Sequence, residues 1–579
     1  MRGRAYTPRP STEVRPWRLL LLLGLLSAAA LTLAGVAVRL QLVDHRFLAK
    51  QGDQRSVRQV ATAAVRGSML DRYNEPLAVS TPVDSVWINP PELAAQSERL
   101  PELEQALGLA HGELERKVSA NLDREFVYVA RGLQPADSRR VRGLNISGVN
   151  FTREYRRYYP AGEVTAHLLG FTSIDDNSQG GMETLLDAKL AGERGIKRVI
   201  QDSKGRKVED VESIRPVRQG ENQVLSIDLR LQYLAYRALK SAVIENRARG
   251  GSLIVVDVQT GEVLALVNQP AFNPNDRKQL TPDAYRNRAV TDPMEPGSIF
   301  KPFIMAAGFA SGRYGPDSII DTGNGSIQIG STVITDEHPL GAVPLSTIMA
   351  KSSNVGMAKI ALSLEPAQIW KTLTAFGFGQ VTATKLPGES AGLLSKYANW
   401  RSAGIATMSH GYGVSVTPLQ LAQGYATIGA LGVRHQLTLQ KVEQPEAGQQ
   451  VVDAAACRTV LKMMEAVTTE EGGTGLRARI PGYRVAGKTG TAWKSIGGVY
   501  VKGRYVASFG GIVPASAPRL AAVVVIDDPS AGKYYAAEVS APVFSEVMGG
   551  ALRLLGIPPD QPESGTVPQR LPPQRVAQR

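Results

Sequence analysis

Ser298-Ile-Phe-Lys301, standing behind the turn Glu295-Pro-Gly297, is the stretch from which the rest of the chain is read. Ile299, Phe300, Phe303, Ile304, Ala306 and Ala307 recur at helical spacing, which predicts a helix with Ser298 at its N-terminus. Pro302 fits a first turn, where the missing N–H is of no consequence. Residues three apart share a helix face, so the Ser298 hydroxyl and the Lys301 amine are expected within reach of each other. A serine hydroxyl is a poor nucleophile without an adjacent base. Lysine can serve only when neutral, which calls for burial and a neighbouring positive charge.

Two later segments complete the set. Ser352-Ser-Asn354 stands between Leu345–Lys351 and the apolar pattern Val355, Met357, Ile360, Ala361, and reads as a loop opening a helix. Its hydroxyl and carboxamide suit a proton path and a substrate amide. Lys488-Thr-Gly490 with Thr491 continues Arg484-Val-Ala-Gly487 and precedes the apolar runs 508–513 and 520–526, which places it on a strand of an antiparallel sheet. Gly490 would let a substrate backbone approach, Lys488, Thr489 and Thr491 offer donors to a carboxylate, and Lys488 supplies the charge that Lys301 needs. Alone each segment is weak: Ser530-Ala-Gly-Lys533 repeats the first pattern and Ser119-Ala-Asn121 the second, and a lone Ser298 would be an ordinary helix cap. In order, Ser-x-x-Lys, Ser-x-Asn and Lys-Thr-Gly describe a serine acyl-transfer site.

The chain has 579 residues, enough for two or more domains. Its one cysteine, Cys457, excludes an intramolecular disulfide. Leu19–Val38 is twenty uncharged residues between Arg18 and Arg39, long enough to span a bilayer, with no convincing cleavage site behind it. Arg2, Arg4, Arg9, Arg15 and Arg18 against Glu13 alone predict a cytoplasmic N-terminus and an exported remainder. The net charge of +13 is scattered and accompanies no nucleic-acid motif, so no nucleic acid is expected as a partner. The six histidines show no metal-ligand spacing and no phosphate loop appears, so neither metal nor cofactor is expected. Of the histidines only His410 is near the proposed site, and packing or a substrate wall suits it better than catalysis, since a lysine already fills the base position.

Residues 41–222 alternate short apolar runs, such as Val83–Ile88 and Phe126–Ala130, with turns and a helical stretch at Leu103–Ala120, and hold no catalytic constellation. Arg153, Arg156 and Arg157 beside Tyr155, Tyr158 and Tyr159 read as a solvated, salt-bridged strand. Leu229–Glu245 reads as a helix, and 252–258 and 263–267 as a hairpin about Gln259-Thr-Gly261. With the later strands this gives an antiparallel sheet flanked by helices, closed by a helix over Ala541–Leu555, before a proline-rich tail expected to be disordered.

Beyond these motifs the chain carries Arg66-Gly-Ser-Met-Leu-Asp-Arg72, Arg156-Arg-Tyr-Tyr-Pro-Ala-Gly162, Asp228-Leu-Arg-Leu-Gln232, Glu295-Pro-Gly-Ser298, Gly411-Tyr-Gly413, Val416-Thr-Pro-Leu-Gln-Leu421 and Ser540-Ala-Pro-Val-Phe544. On these it resembles, over about residues 17–557, a class B penicillin-binding protein of the division-specific FtsI type of Gram-negative bacteria, pseudomonads nearest. The resemblance implies a multidomain α+β protein: a cytoplasmic 1–18, an anchor at 19–40 in the inner membrane, a periplasmic pedestal at 41–222, a serine β-lactamase-like transpeptidase domain at 223–556 and a tail at 557–579. It further implies that Ser298 attacks the D-alanyl-D-alanine end of a peptidoglycan stem peptide and that an amine of a neighbouring strand resolves the acyl-enzyme. Lys301 would be the base, Ser352 the proton relay and Asn354 the amide ligand. Lys488, Thr489 and Thr491 would anchor the carboxylate, the N–H groups of Ser298 and Thr491 would form the oxyanion hole, and His410 and Tyr412 would wall the cleft. β-Lactams would acylate Ser298, and a SEDS-type glycosyltransferase with other division proteins would be partners.

Three places depart from the family pattern: Asp71-Arg-Tyr-Asn74 for Asp-Arg-Asn-Gly, Ser409-His-Gly-Tyr-Gly413 for Ser-Tyr-Gly-Tyr-Gly, and Lys533-Tyr-Tyr-Ala-Ala537 for an aromatic-Gly-Gly. They leave open an accessory paralogue with the same chemistry. A β-lactamase or D,D-carboxypeptidase-type hydrolase is the enzymatic alternative, and a scaffold or β-lactam sensor the non-enzymatic one.

Overall fold

A computed structural model of the protein describes residues 16–48, 57–201, 207–278 and 280–561. Most of the expected cytoplasmic stretch and the tail from residue 562 lie outside the described residues. The apolar N-terminal run forms helix α1 (Pro16–Val38), whose leucines are exposed along its whole length. With the five residues that continue it to Val43, it is long and apolar enough to cross a membrane.

Contacts divide the described residues into two compact units. The smaller takes the residues up to Ala64 together with Gly192–Gln219. In it Val57–Thr62 pairs antiparallel with Gly195–Gln201, which pairs in turn with Lys207–Arg215. The larger unit holds Val65–Ala191 and the chain from Gly220 onward. The stretch 41–222 contributes to both units. The cause is visible in the pairing: Met69-Leu70 aligns with Gln223-Val224, and Arg72 N–H donates to Ile227 O at 2.9 Å.

Within the larger unit, β1 (Pro76–Ile88) pairs antiparallel with β2 (Val127–Leu133) on one side and β3 (Val149–Tyr158) on the other. Val86, Ile88, Leu103, Leu114 and Val141 form the core beneath them. At the turn before β1, Asn74 adopts φ 69° where the family pattern has glycine, and Asp71 Oδ1 accepts the N–H groups of Tyr73 and Glu75, both at 2.8 Å. A short polar side chain tolerates that conformation better than most.

The rest is built on one sheet. Helix α2 (Leu229–Glu245) starts where Asp228 caps the N–H groups of Arg230 and Leu231. Strands β4 (Gly250–Asp257) and β5 (Val263–Gln269) form the expected hairpin, and helix α3 (Lys301–Ala310) follows the nucleophile turn. Then come α4 (Asn354–Leu362), α5 (Pro418–Gly429) and α6 (Ala454–Thr469). Strands β6 (Ala486–Ile496), β7 (Val499–Val513) and β8 (Leu520–Asp527) complete the sheet, and α7 (Ala541–Leu554) closes it. The strand order is β5-β4-β8-β7-β6, antiparallel throughout.

Alternation along β4 explains the layers. Leu253 and Val255 pack with Leu239 of α2 and Phe544 and Val547 of α7 on one face. Ile254 and Val256 pack with Leu421 and Tyr425 of α5 on the other. A strand covered on both faces reads as a continuous apolar run, which is why 252–258 shows no polar alternation. Cys457 is buried within α6, and burial pushes its thiol up to about 12.

Candidate active site

The three predicted segments meet at the edge strand β6. Ser298 lies in a tight 3₁₀ turn, Gly297–Phe300, that runs directly into α3, so the expected helix start is reached one turn later than the apolar spacing suggests. Pro302 sits in the first turn of α3, as predicted. Ser298 is half-buried while Ile299 and Phe300 are fully buried, so the turn faces its serine toward the cleft and its apolar residues into the core. The turn is fixed on three sides. Tyr425 Oη donates to Ile299 O at 2.9 Å, Gly297 N–H donates to Gly411 O at 3.1 Å, and β6 lies against it.

That last contact explains Gly490. A Cβ there would stand 2.9 Å from Ile299 N, 3.0 Å from Pro296 O and 2.8 Å from Ser508 Oγ. The glycine, expected to admit a substrate backbone, admits the nucleophile turn itself.

Lys301 is fully buried. Its Nζ reaches Ser352 O at 2.5 Å, Asn354 Oδ1 at 2.8 Å and Ser352 Oγ at 3.1 Å. These contacts use all three positions of the amine, so in the unliganded site it faces the Ser352-Asn354 loop, and no hydrogen bond joins it to Ser298 among the described residues. Ser352 holds φ 59°, a left-handed conformation that turns its carbonyl and its hydroxyl toward one amine. Asn354 opens α4, with Ser353 as its cap.

Lys488 is also fully buried, and its Nζ donates to Ser352 Oγ at 2.9 Å and Thr489 O at 3.1 Å. Ser352 Oγ therefore lies between two amines. Burial pulls Lys488 down to about 7. Burial first, then the charge of Lys488, pulls Lys301 well below the ordinary lysine range, against a smaller upward pull from Asp336. Two amines that share one hydroxyl do not both keep a proton near neutrality. Lys301, which is pulled down by the charge of Lys488 as well as by burial, is the one that gives its proton up. Lys488 thus faces Ser352 rather than open solvent.

The other predicted residues line the cleft. Thr489 Oγ1 bonds Thr474 Oγ1 at 2.7 Å, and Thr491 Oγ1 accepts the Ala536 N–H at 3.0 Å, so its own O–H remains to be donated. Tyr412 Oη accepts the Trp493 N–H at 3.2 Å, joining the 409–413 loop to β6. His410 is half-buried with its ring edge-on to Tyr412 at 5.5 Å, and its Nδ1 has no partner among the described residues. Burial above all pushes its imidazole down to about 3, a protonated Lys301 would push it the same way, and His410 stays neutral. The repeated patterns stand elsewhere: Ser530 Oγ is tied to Arg247 O at 2.8 Å, and Ser119 ends a short helix of the β1–β3 region.

Sequence reasoning missed three residues of this site. Asp336 accepts the N–H groups of Asn354 and Val355 at 2.5 and 3.0 Å and the Ser353 hydroxyl at 2.6 Å. Glu295 Oε1 accepts Gly413 N–H at 2.7 Å and Tyr500 Oη at 3.1 Å, clamping the loop that carries His410 and Tyr412. Thr474 extends the hydroxyl row of β6. Glu295 had a signal, an acidic residue in the turn before the nucleophile, whereas Asp336 and Thr474 stand in stretches with no motif.

The penicillin-binding protein transpeptidase domain matches residues 251–549, and the penicillin-binding protein dimerisation domain matches residues 61–225. Peptidoglycan D,D-transpeptidase FtsI of Escherichia coli is 41% identical over 577 residues, 98% of this chain and 97% of that one. The probable peptidoglycan D,D-transpeptidase PbpC of Pseudomonas aeruginosa is 39% identical over 550 residues, 95% of this chain and 97% of that one. Among solved structures, penicillin-binding protein 3 of Mycobacterium tuberculosis complexed with aztreonam is 28% identical, with a TM-score of 0.67 over 87% of this chain and 99% of that one. The transpeptidase domain of penicillin-binding protein 3 from Burkholderia pseudomallei is 40% identical, with a TM-score of 0.54 over 58% of this chain and 98% of that one.

Proposed function

The chain belongs to the class B penicillin-binding proteins, which join a dimerisation domain to a transpeptidase domain, and from that premise we propose a peptidoglycan D,D-transpeptidase of septal wall with Ser298 as its nucleophile. The observation that carries this reading is Ser352 Oγ, 3.1 Å from Lys301 Nζ and 2.9 Å from Lys488 Nζ.

Neutral Lys301 takes the Ser298 proton as Oγ attacks the penultimate D-alanine carbonyl. The N–H groups of Ser298 and Thr491 hold the oxyanion. As the C–N bond breaks, the proton passes through Ser352 to the amine of the departing D-alanine, and the ester to Ser298 remains. An acceptor amine then attacks that ester, loses a proton along the same path and releases Ser298. Asn354 binds the peptide amide, while the hydroxyls of Thr489 and Thr491 receive the terminal carboxylate, with Gly490 shaping β6 between them. Burial keeps Lys301 neutral, and Lys488 in its protonated form adds to the effect. His410 and Tyr412 form the wall, and β-lactams enter as analogues of D-alanyl-D-alanine.

In this reading residues 1–18 are cytoplasmic, 19–40 anchor the chain in the inner membrane, 41–222 form a periplasmic pedestal, 223–556 the transpeptidase domain and 557–579 the tail. The arginines before α1 support that orientation. A SEDS-type glycosyltransferase and other division proteins are its partners, a proposal supported by the resemblance to the division enzymes.

The test is fluorescent penicillin labelling of the full-length chain with intact-mass mapping of the adduct. Labelling maps to Ser298 and disappears in Ser298→Ala; labelling that persists in the variant overturns the assignment. Rescue of a conditional division mutant by the wild-type chain and not by Ser298→Ala supports the septal role.

A further inference from the structure

Strand β3 carries the arginine- and tyrosine-rich stretch that reads as a solvated strand, and the structure departs from that reading at one residue. Arg157 is buried, its side chain 1% exposed. Its Nε pairs with Glu183 Oε1 at 2.7 Å, and its Nη1 donates to Gly67 O at 2.7 Å and Ser80 Oγ at 3.2 Å. Its Nη2 is buried with no hydrogen-bond partner among the described residues. A buried guanidinium donor left unmet costs free energy, so the position has a use for an acceptor.

Arg157 lines a cavity of about 250 Å³ that also takes Arg131, Arg156, Tyr155 and, from the matched transpeptidase domain, Arg277. Arg131 is committed to Glu154 at 3.0 Å and Asp175 at 2.7 Å. Arg277 donates to Thr172 O at 2.8 Å and lies over the Phe171 ring, with no carboxylate partner among the described residues. Arg156 is exposed, likewise with no carboxylate partner there. Asp176 is close enough to be influenced by Arg66 and Arg157 without forming an ion pair with either. Arg156 and Arg277, neither paired with a carboxylate among the described residues, thus line one cavity with the buried Arg157, where a strand of the dimerisation-domain match meets the transpeptidase-domain match.

We propose that this cavity is a second substrate-binding site, which takes a free carboxylate of a peptidoglycan stem peptide on Arg156 and Arg277, with the buried Arg157 beneath them adding positive charge. Guanidinium forks match carboxylates in shape as well as charge. The volume admits a short peptide end, and Tyr155 offers a flat wall to its apolar part. The choice of stem peptide over other anions rests on the peptidoglycan reading above. A strand held here is held by the same unit that carries Ser298.

The test uses the full-length chain in detergent with Ser298 first acylated by penicillin, which blocks the catalytic cleft. The probe is a muramyl tripeptide that ends in a free carboxylate and lacks D-alanyl-D-alanine. Saturable binding is expected by calorimetry, with Kd raised about tenfold or more in Arg156→Gln and in Arg277→Gln. Both residues lie near the surface, so the buried Arg157–Glu183 pair stays intact, and thermal melting verifies the fold of each variant. No binding, or equal binding in wild type and variants, overturns the proposal. So does binding of inorganic phosphate or anionic phospholipid vesicles through these arginines without binding of the tripeptide. Failure of penicillin to label Ser298 would instead break the catalytic reading, so the two failures are distinguishable.

Discussion

Asp336 Oδ1 accepts the backbone N–H of Asn354 at 2.5 Å, so a carboxylate outside every motif fixes the residue that opens α4. The same side chain holds Ser353 and Val355, and through this loop it sets where Ser352 meets the two lysines. Asp336→Ala is expected to cost about 1–3 kcal/mol of stability, because charge-assisted hydrogen bonds are lost. Penicillin acylation is expected to slow by roughly a hundredfold, the scale of an ångström-sized misplacement. Denaturant melts and stopped-flow acylation measure the two effects; an unchanged acylation rate refutes the role.

Lys488 tunes Lys301, and the sign of that effect is fixed. Its charge lowers the Lys301 pKa, so Lys488→Met lets that pKa rise, although burial still holds it down. The neutral base then appears at higher pH. The acid limb of the acylation-rate profile is expected to move upward in pH in the variant, and a downward shift contradicts this arrangement.

Lys488 also gives stability a pH dependence. Its folded value of about 7 lies below the unfolded 10.5, so between these the unfolded chain holds a proton that the folded chain has released. Stability therefore rises with pH across that window, and the contribution of neutral Lys488 is lost as pH falls back toward 7. Lys488→Met is expected to flatten this rise. Denaturant midpoints at the two ends of the window test it.

Gly490→Ala places a methyl group against Ile299 N, Pro296 O and Ser508 Oγ, all at 3.0 Å or less. Two of these are backbone atoms that cannot swing aside. A loss of about 1–3 kcal/mol is expected, with slower acylation because the Ser298 turn must move. Full activity in this variant would mean that the turn and β6 are less tightly coupled than their spacing implies.

Glu183 holds both Arg66 Nε and Arg157 Nε at 2.7 Å in a fully buried setting. Glu183→Ala strands the Arg157 charge, and a loss of about 3–5 kcal/mol is expected. Asp187 also pairs with Arg66 at 2.7 Å but is 46% exposed. Asp187→Ala leaves the buried Arg66 Nη1 without that partner and should cost less, about 1–3 kcal/mol. Thermal melts of the two variants give the comparison, and equal losses would contradict it.

Local chemistry was legible in the sequence where neighbours in the chain decide it. The limits of α2 follow from the Asp228 cap and the apolar spacing after it, and β4 follows from an unbroken apolar run. Ser298, Ser352 and Lys488 were found because each belongs to a short motif. Asp336 was not, because its partners lie 18 and 19 residues along the chain and only the fold brings them together. Arg157 reads as solvated in its own strand, yet Glu183, 26 residues onward, makes burial tolerable. Gly490 was recognised as a point of close approach, but which backbone approaches is a fact of three dimensions.

The floor of the cleft is laid backbone against backbone, the 297–300 turn upon β6, at a place where Gly490 leaves no side chain to vary. Sequence drift there has nothing to work with. The walls are made differently, from the side chains of His410, Tyr412 and Trp493 and from the Ala536–Ala537 stretch that meets Thr491. What the cleft admits can therefore change without moving the attacking oxygen, and two of the three departures from the family pattern, at His410 and at Ala536-Ala537, stand on the walls while none stands on the floor.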